Sequence, residues 1–173
     1  MGKAKLVSHG QKYAEEMARL TSDPKIKNAL GFTEEQTSVA GVSEFIDFIT
    51  TQQFEHKQYS RLILNEQDEL IGVITLKSIN HTKKAAHVGT WISSDYWGMG
   101  YNEDAKEQIF SIAFEELKLE HVFAGATLQN IRSQKAQEKL PYMMLDVGNE
   151  YPRELQKIER ETKQACMLNM VTK

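Results

Sequence analysis

The stretch Tyr96-Trp97-Gly98-Met99-Gly100-Tyr101-Asn102 sets two glycines one residue apart, after an apolar run and just ahead of a helical pattern. That order has chemical consequences. The first amides of a helix have no partner within it and carry a partial positive charge. Glycines let the preceding backbone approach a ligand without a Cβ in the way. Strand, glycine loop and helix together therefore make an anion site, best suited to phosphate or diphosphate. A bare G-x-G also serves as a tight turn that needs positive φ, and the sequence leaves both readings open. Two nucleotide motifs are excluded: the dinucleotide fingerprint needs a third glycine where Glu103 stands, and the P-loop lysine motif is missing. His9, His56, His81, His87 and His121 show no metal-ligand spacing, so no metal is expected. Cys166 sits in an apolar run and reads as a small buried hydrophobe rather than a nucleophile.

The elements that must position the loop follow from periodicity. Residues 5–8 read as a short strand, and Tyr13, Met17 and Leu20 mark one face of a helix over 11–20. Ser22-Asp23-Pro24 is a helix start, with Asp23 as the cap. A longer helix over 38–54 carries the stripe Val42, Phe45, Ile46 and Ile49. Runs at 59–64, 70–79 and 85–92, separated by polar turns, read as an antiparallel meander whose middle strand is buried on both faces. The helix after the loop spans 103–118, with Ala105, Ile109, Ile112, Ala113 and Leu117 on one side. A strand at 121–127, a helix at 130–140 ended by Pro141, and a last pair of strands at 143–147 and 165–171 complete the chain. The charged segment 151–161 between them reads as a short surface helix. Met143, Met144, Met167 and Met170 are expected to fill core, and Tyr96 and Tyr101 to pack the loop.

Bulk properties narrow the function. A length of 173 residues suits a single domain over 1–173, and a net charge of -3 argues against nucleic acid as a partner. No apolar run approaches the ~20 residues that cross a bilayer. The opening MGKAKLVSHGQKYAEEM lacks the apolar core of a signal peptide, and Leu6 stands where myristoylation wants Ser or Thr. With a lone cysteine, these features give the expectation of a cytoplasmic protein that engages neither membrane nor nucleic acid.

Strand, glycine loop, helix, strand, Asn, helix is also an order with a family likeness. The chain resembles the GNAT superfamily of acyl-CoA-dependent N-acetyltransferases, and within it the branch that includes ribosomal-protein N-terminal acetyltransferases. In that branch the loop typically reads YWGKGYA and the later helix NxxSxxxLEKLGF. Here they read Tyr96 through Asn102, then Asn130-Ile131-Arg132-Ser133 followed by Glu138-Lys139-Leu140-Pro141-Tyr142. The resemblance implies an α+β GNAT fold: a mixed, mostly antiparallel sheet of six to seven strands flanked by helices, with a splayed strand pair forming an acyl-CoA cleft. It implies acetyl-CoA as cosubstrate, its diphosphate held around Trp97, Gly98, Met99, Gly100, Tyr101 and Asn102. Thr90, Trp91 and Ile92 would pair through their backbone with the pantetheine arm, like an added strand. Asn130 would bond that arm or place the acceptor, and Ser133 would lie near the thioester sulfur. The implied partner is an amine acceptor, and the implied assembly a monomer or homodimer.

Several positions depart from the family pattern. Asn102 stands where Ala or Gly is preferred, so it either caps the helix or crowds the diphosphate. Pro141 replaces a usual glycine. Many members place a catalytic glutamate where this chain has Gly125 and a general-acid tyrosine where it has Gln137. His87 occupies the place of a frequent glutamate on the third meander strand. A histidine facing the cleft would accept a proton from the incoming amine; a polar residue pairing across the sheet or facing solvent is the plainer reading. Deprotonating a lysine at pH 7 costs about 4.6 kcal/mol, against about 1–1.4 for an α-amine. A site without a carboxylate base thus suits a peptide N-terminus or a small low-pKa amine. The expected activity is acetyl transfer to such an amine by direct attack. The alternative is a catalytically impaired acyl-CoA-binding or protein-interaction domain with the same fold.

Overall fold

The computed structural model describes residues 3–173. Six strands hydrogen-bond side by side in chain order: β1 (Lys5–Val7), β2 (Tyr59–Leu64), β3 (Leu70–Asn80), β4 (Ala85–Ile92), β5 (His121–Thr127) and β6 (Cys166–Thr172). β1–β2, β2–β3 and β5–β6 are antiparallel, while β4–β5 is parallel. The sheet is mixed and mostly antiparallel, as expected, with six strands. Among the described residues, those up to 78 with 89–109 form one compact unit, and 79–88 with 110–173 a second. Among the described residues no helix is long and apolar enough to cross a membrane.

In the first unit, α1 (Ala14–Thr21) follows a 3-10 turn at Gln11–Tyr13, and α2 (Pro24–Leu30) and α3 (Val39–Phe54) come before β2. The helix starts are set locally. Asp23 accepts from the Lys25 amide at the head of α2, and Ser38 accepts from the Gly41 amide at the head of α3. Met17, Leu20, Val42 and Ile46 bury against Leu62, Leu64 and Val73. Of the α3 stripe, Val42, Ile46 and Ile49 are buried, but Phe45 is 37% exposed and meets His9 edge-on at 5.8 Å. β3 and β4 approach so closely at Gly72 that a Cβ there would lie 2.3 Å from the Trp91 carbonyl oxygen.

The helix after the glycine loop, α4 (Tyr101–Ser111), begins two residues earlier than its apolar spacing suggests. It then widens into a π-helical turn over Ile112–Glu116, where the Leu117 amide reaches the Ile112 carbonyl at 3.0 Å.

In the second unit, β4 and β5 pair from Ala85↔His121 to Val88↔Ala124. The unit adds α5 (Ile131–Glu138) and α6 (Pro152–Thr162). Phe123, Val147, Ile158, Cys166, Leu168 and Met170 form its core cluster. The expected strand at 143–147 does not form. Only an isolated Met144↔Met170 bridge is present, because Asp146 turns to a φ of 54° and its amide goes to the Asn169 side chain. Met144 is accordingly 44% exposed rather than core, whereas Met143 and Met170 are buried.

Candidate active site

The loop is built from the strand end forward. After β4, a 3-10 turn at Ser94–Tyr96 leads to Trp97, whose indole N–H donates to the Ile92 carbonyl at 2.7 Å. Gly98 and Gly100 have φ of 75° and 86°, the left-handed region that favours glycine. The Gly100 carbonyl accepts from the Asp104 amide at 3.1 Å, so the first-turn donors of α4 are the amides of Tyr101, Asn102 and Glu103. Asn102 therefore lies inside the helix and is not its N-cap, contrary to one of the two sequence readings. Both functions proposed for the glycine pair are compatible, since the turn itself aims the helix terminus.

Whether a diphosphate can approach the loop depends on the space beside each glycine. A Cβ on Gly98 would meet nothing within 4 Å, and one on Gly100 would meet only the Lys3 side chain at 3.6–3.7 Å. There is room beside both glycines, and a cation stands next to Gly100, so the residues fit a diphosphate. Tyr101 is buried, lies edge-on to Tyr96 at 5.8 Å, and donates its hydroxyl to Glu66. That hydrogen bond pushes the Tyr101 phenol up to about 12 and holds the Glu66 carboxyl below its ordinary value. On β4, Trp91 packs against the first unit's core and Ile92 is buried. The Thr90 hydroxyl is buried with no hydrogen-bond partner among the described residues.

The remaining candidate residues lie in the second unit. Asn130 is the N-cap of α5, its side-chain oxygen accepting from the Ser133 amide at 3.1 Å. The Asn-x-x-Ser spacing is thus a capping arrangement, with Ser133 in the first turn of the helix. Ser133 Oγ lies 3.4 Å from Gln137 Nε2. Gln137 is buried and fully engaged: its Nε2 donates to the Gly125 carbonyl at 3.1 Å, and its Oε1 accepts from Asn169 Nδ2 at 2.5 Å. A Cβ on Gly125 would lie 2.4 Å from the terminal methyl of Ile158 in α6, so a side chain there requires that methyl to turn away.

His87 is buried. Its Nε2 lies 2.9 Å from Glu154 Oε2, and its ring is 5.2 Å from that of Phe123. Glu154 comes from the first turn of α6, inside the charged run that reads from sequence as a solvated face. The alternation of charge with Leu155 and Ile158 in that run is the signal that would have placed α6 on the sheet. Beside this pair is a cavity of about 330 Å³, lined among others by Ala85, His121, Phe123, Tyr151 and Glu154.

With this geometry in place, comparison with known proteins defines the class. Residues 6–142 match the Acetyltransferase (GNAT) domain family. The chain belongs to that family of acetyltransferases. An uncharacterized N-acetyltransferase of Bacillus licheniformis, p20, is 24% identical over 140 residues, 80% of this chain and 78% of its own. Among solved structures, the microcin C7 self-immunity acetyltransferase MccE, in complex with acetyl-CoA and AMP, superposes with a TM-score of 0.78 at 19% identity. It covers 100% of this chain and 93% of its own. RimL, a ribosomal alpha-N-protein acetyltransferase in complex with coenzyme A, gives a TM-score of 0.76 at 13% identity, over 100% and 94%. At these identities the superpositions establish the shared fold.

Proposed function

We propose that the chain is an acyl-CoA-dependent N-acetyltransferase, acting as one domain, that moves acetyl from acetyl-CoA to an amine by direct attack. The observation that carries this reading is the loop ahead of α4 with Gly98 and Gly100 at positive φ and room beside both, in a chain of the GNAT family. The loop residues from Trp97 to Asn102 surround the diphosphate, with the amides of 98–102 as donors. The backbone of Thr90, Trp91 and Ile92 pairs with the pantetheine arm. Asn130 fixes the start of α5 and, through it, Ser133 near the thioester sulfur. His87, held by Glu154, takes the proton released as the amine nitrogen forms its bond to the acetyl carbon and the thiolate departs. The rest of the rate comes from positioning and from backbone donors that polarise the thioester carbonyl. The acceptor class is a peptide N-terminus or a small amine, in keeping with the activity named for RimL and with the lower cost of neutralising an α-amine.

Thermal shift with acetyl-CoA, CoA and ATP tests the cofactor reading: stabilisation by the first two is expected, and stabilisation by ATP alone overturns it. Release of free thiol across a panel of amines and peptides tests turnover. A second reading, an acyl-CoA-binding domain without turnover, is favoured by Ile158 filling the space over Gly125 and by the full engagement of Gln137. Cofactor binding with no thiol release across the panel selects that reading.

A further inference from the structure

The geometry points to Lys3 as the residue that supplies positive charge to the diphosphate loop, an inference that rests on the cofactor reading above. The loop is short of cations by composition: residues 96–102 contain no Lys or Arg, and Glu103 and Asp104 follow at once. A helix N-terminus contributes about half an elementary charge, well short of what a diphosphate carries. Three nearby charges have hydrogen-bond or ion-pair partners, and Glu66 also feels the charge of Lys3. Glu66 accepts from Tyr101, Asp104 accepts from the Ala4 amide at 2.6 Å, and Lys5 pairs with Asp68.

Lys3 is brought to the loop by backbone contacts rather than by its own side chain. β1 pairs with β2 from Lys5↔Leu64 to Val7↔Leu62. One residue before β1, Ala4 is gripped at both backbone groups by α4, its amide by Asp104 and its carbonyl by Gln108 Nε2 at 2.8 Å. This strap sets Lys3 beside Gly100. Its ammonium donates to the Met99 carbonyl, lies 4.3 Å from the centre of the Tyr101 ring, and is 3.7 Å from where a Gly100 Cβ would project. An ammonium has three N–H donors; Met99 takes one, which leaves two for a diphosphate held beside Gly100. Tyr101, fixed by Glu66, acts as the platform that holds the charge in place.

The test is calorimetric binding without acceptor, for wild type, Lys3→Met and Lys3→Arg, against CoA, 3′-dephospho-CoA and pantetheine. Lys3→Met is expected to weaken both nucleotide ligands about ten- to a hundredfold, the range for losing a hydrogen bond to a charged group. Pantetheine binding should not change, Lys3→Arg should recover most of the loss, and raising the salt should shrink the difference. The melting temperature of the unliganded protein should hold, because the Ala4 contacts remain. Wild-type affinity of Lys3→Met for 3′-dephospho-CoA overturns the assignment, as does a loss confined to CoA, which would place Lys3 on the 3′-phosphate. Absence of CoA binding by the wild type sinks the cofactor reading itself, and this inference with it.

Discussion

Acidification should weaken the first unit through one residue, His9. Its ring is partly buried, with Nε2 2.8 Å from Ser60 Oγ, which in turn lies 2.7 Å from Thr75 Oγ1. The Phe45 ring packs against it. Burial, and secondarily the charge of Arg61, lowers the His9 pKa from 6.5 to about 4. The sign follows from which state binds the proton. Between these values the unfolded chain takes a proton that the folded chain refuses, so stability is full above about pH 6.5 and falls as pH drops toward 4. One pKa unit is 1.36 kcal/mol, so complete loss is about 3 kcal/mol, and going from pH 7.5 to 5.0 removes about 2. Urea unfolding at those two pH values, for wild type and His9→Gln, isolates the residue. Glutamine keeps a donor for Ser60 but cannot be protonated, and the remaining groups titrate alike in both proteins. The wild type should lose about 2 kcal/mol more than the variant over this interval. Equal losses in the two proteins would refute the linkage.

Three further perturbations probe the interior and the loop. Gly125→Ala places a methyl against Ile158 and should cost about 1–3 kcal/mol in urea unfolding; Ile158→Val in the same chain should recover part of it, and no recovery would mean the clash lies elsewhere. Asn169→Leu leaves the Asp146 amide and Gln137 Oε1 without their partner and should cost about 1–3 kcal/mol, with a neutral result showing that the buried network contributes nothing. Gly98→Ala meets no atom but forces a methyl-bearing residue to φ 75°, at about 1–2 kcal/mol; acetyl-CoA affinity should fall, and full affinity would show that the left-handed turn is dispensable.

The turn of the loop was legible because it is local: two glycines just ahead of a helical pattern supply the positive φ values that a tight entry into a helix needs. The capped helices and the strands of the sheet were legible for the same reason, since each rests on residues within a few positions of one another. Contacts distant in sequence were not. His87 and Glu154 are separated by 67 residues, and Lys3 and Met99 by 96, so no periodicity links them. Composition also misled at 143–147, where Met-Met-Leu reads as a strand but a single left-handed residue, Asp146, prevents a ladder. Asn130 and Ser133 carried a family likeness, while their spacing is also that of a helix cap, and the two readings coincide at one place in the chain.

Helix α6 packs over Gly125 and also holds His87, the residue proposed to take the proton. Ile158 covers Gly125, and Glu154, one helical turn earlier on the same face, reaches His87. A strand glutamate at 125 would have to turn the Ile158 methyl aside, while the same helix brings Glu154 to His87, the proton route proposed above. How much that route must supply depends on the acceptor. At pH 7 the neutral fraction of an α-amine exceeds that of a lysine side chain by a few hundred-fold, and at pH 9 by only about 25-fold. If His87 receives protons only after the neutral amine has attacked, kcat/KM for a peptide α-amine over a lysine side chain should follow this ratio and narrow as pH rises. His87→Ala should lower both rates without changing the ratio. A selectivity that stays constant from pH 7 to 9 would show that the protein itself extracts the proton from the charged amine, and would require a stronger base than the His87–Glu154 pair.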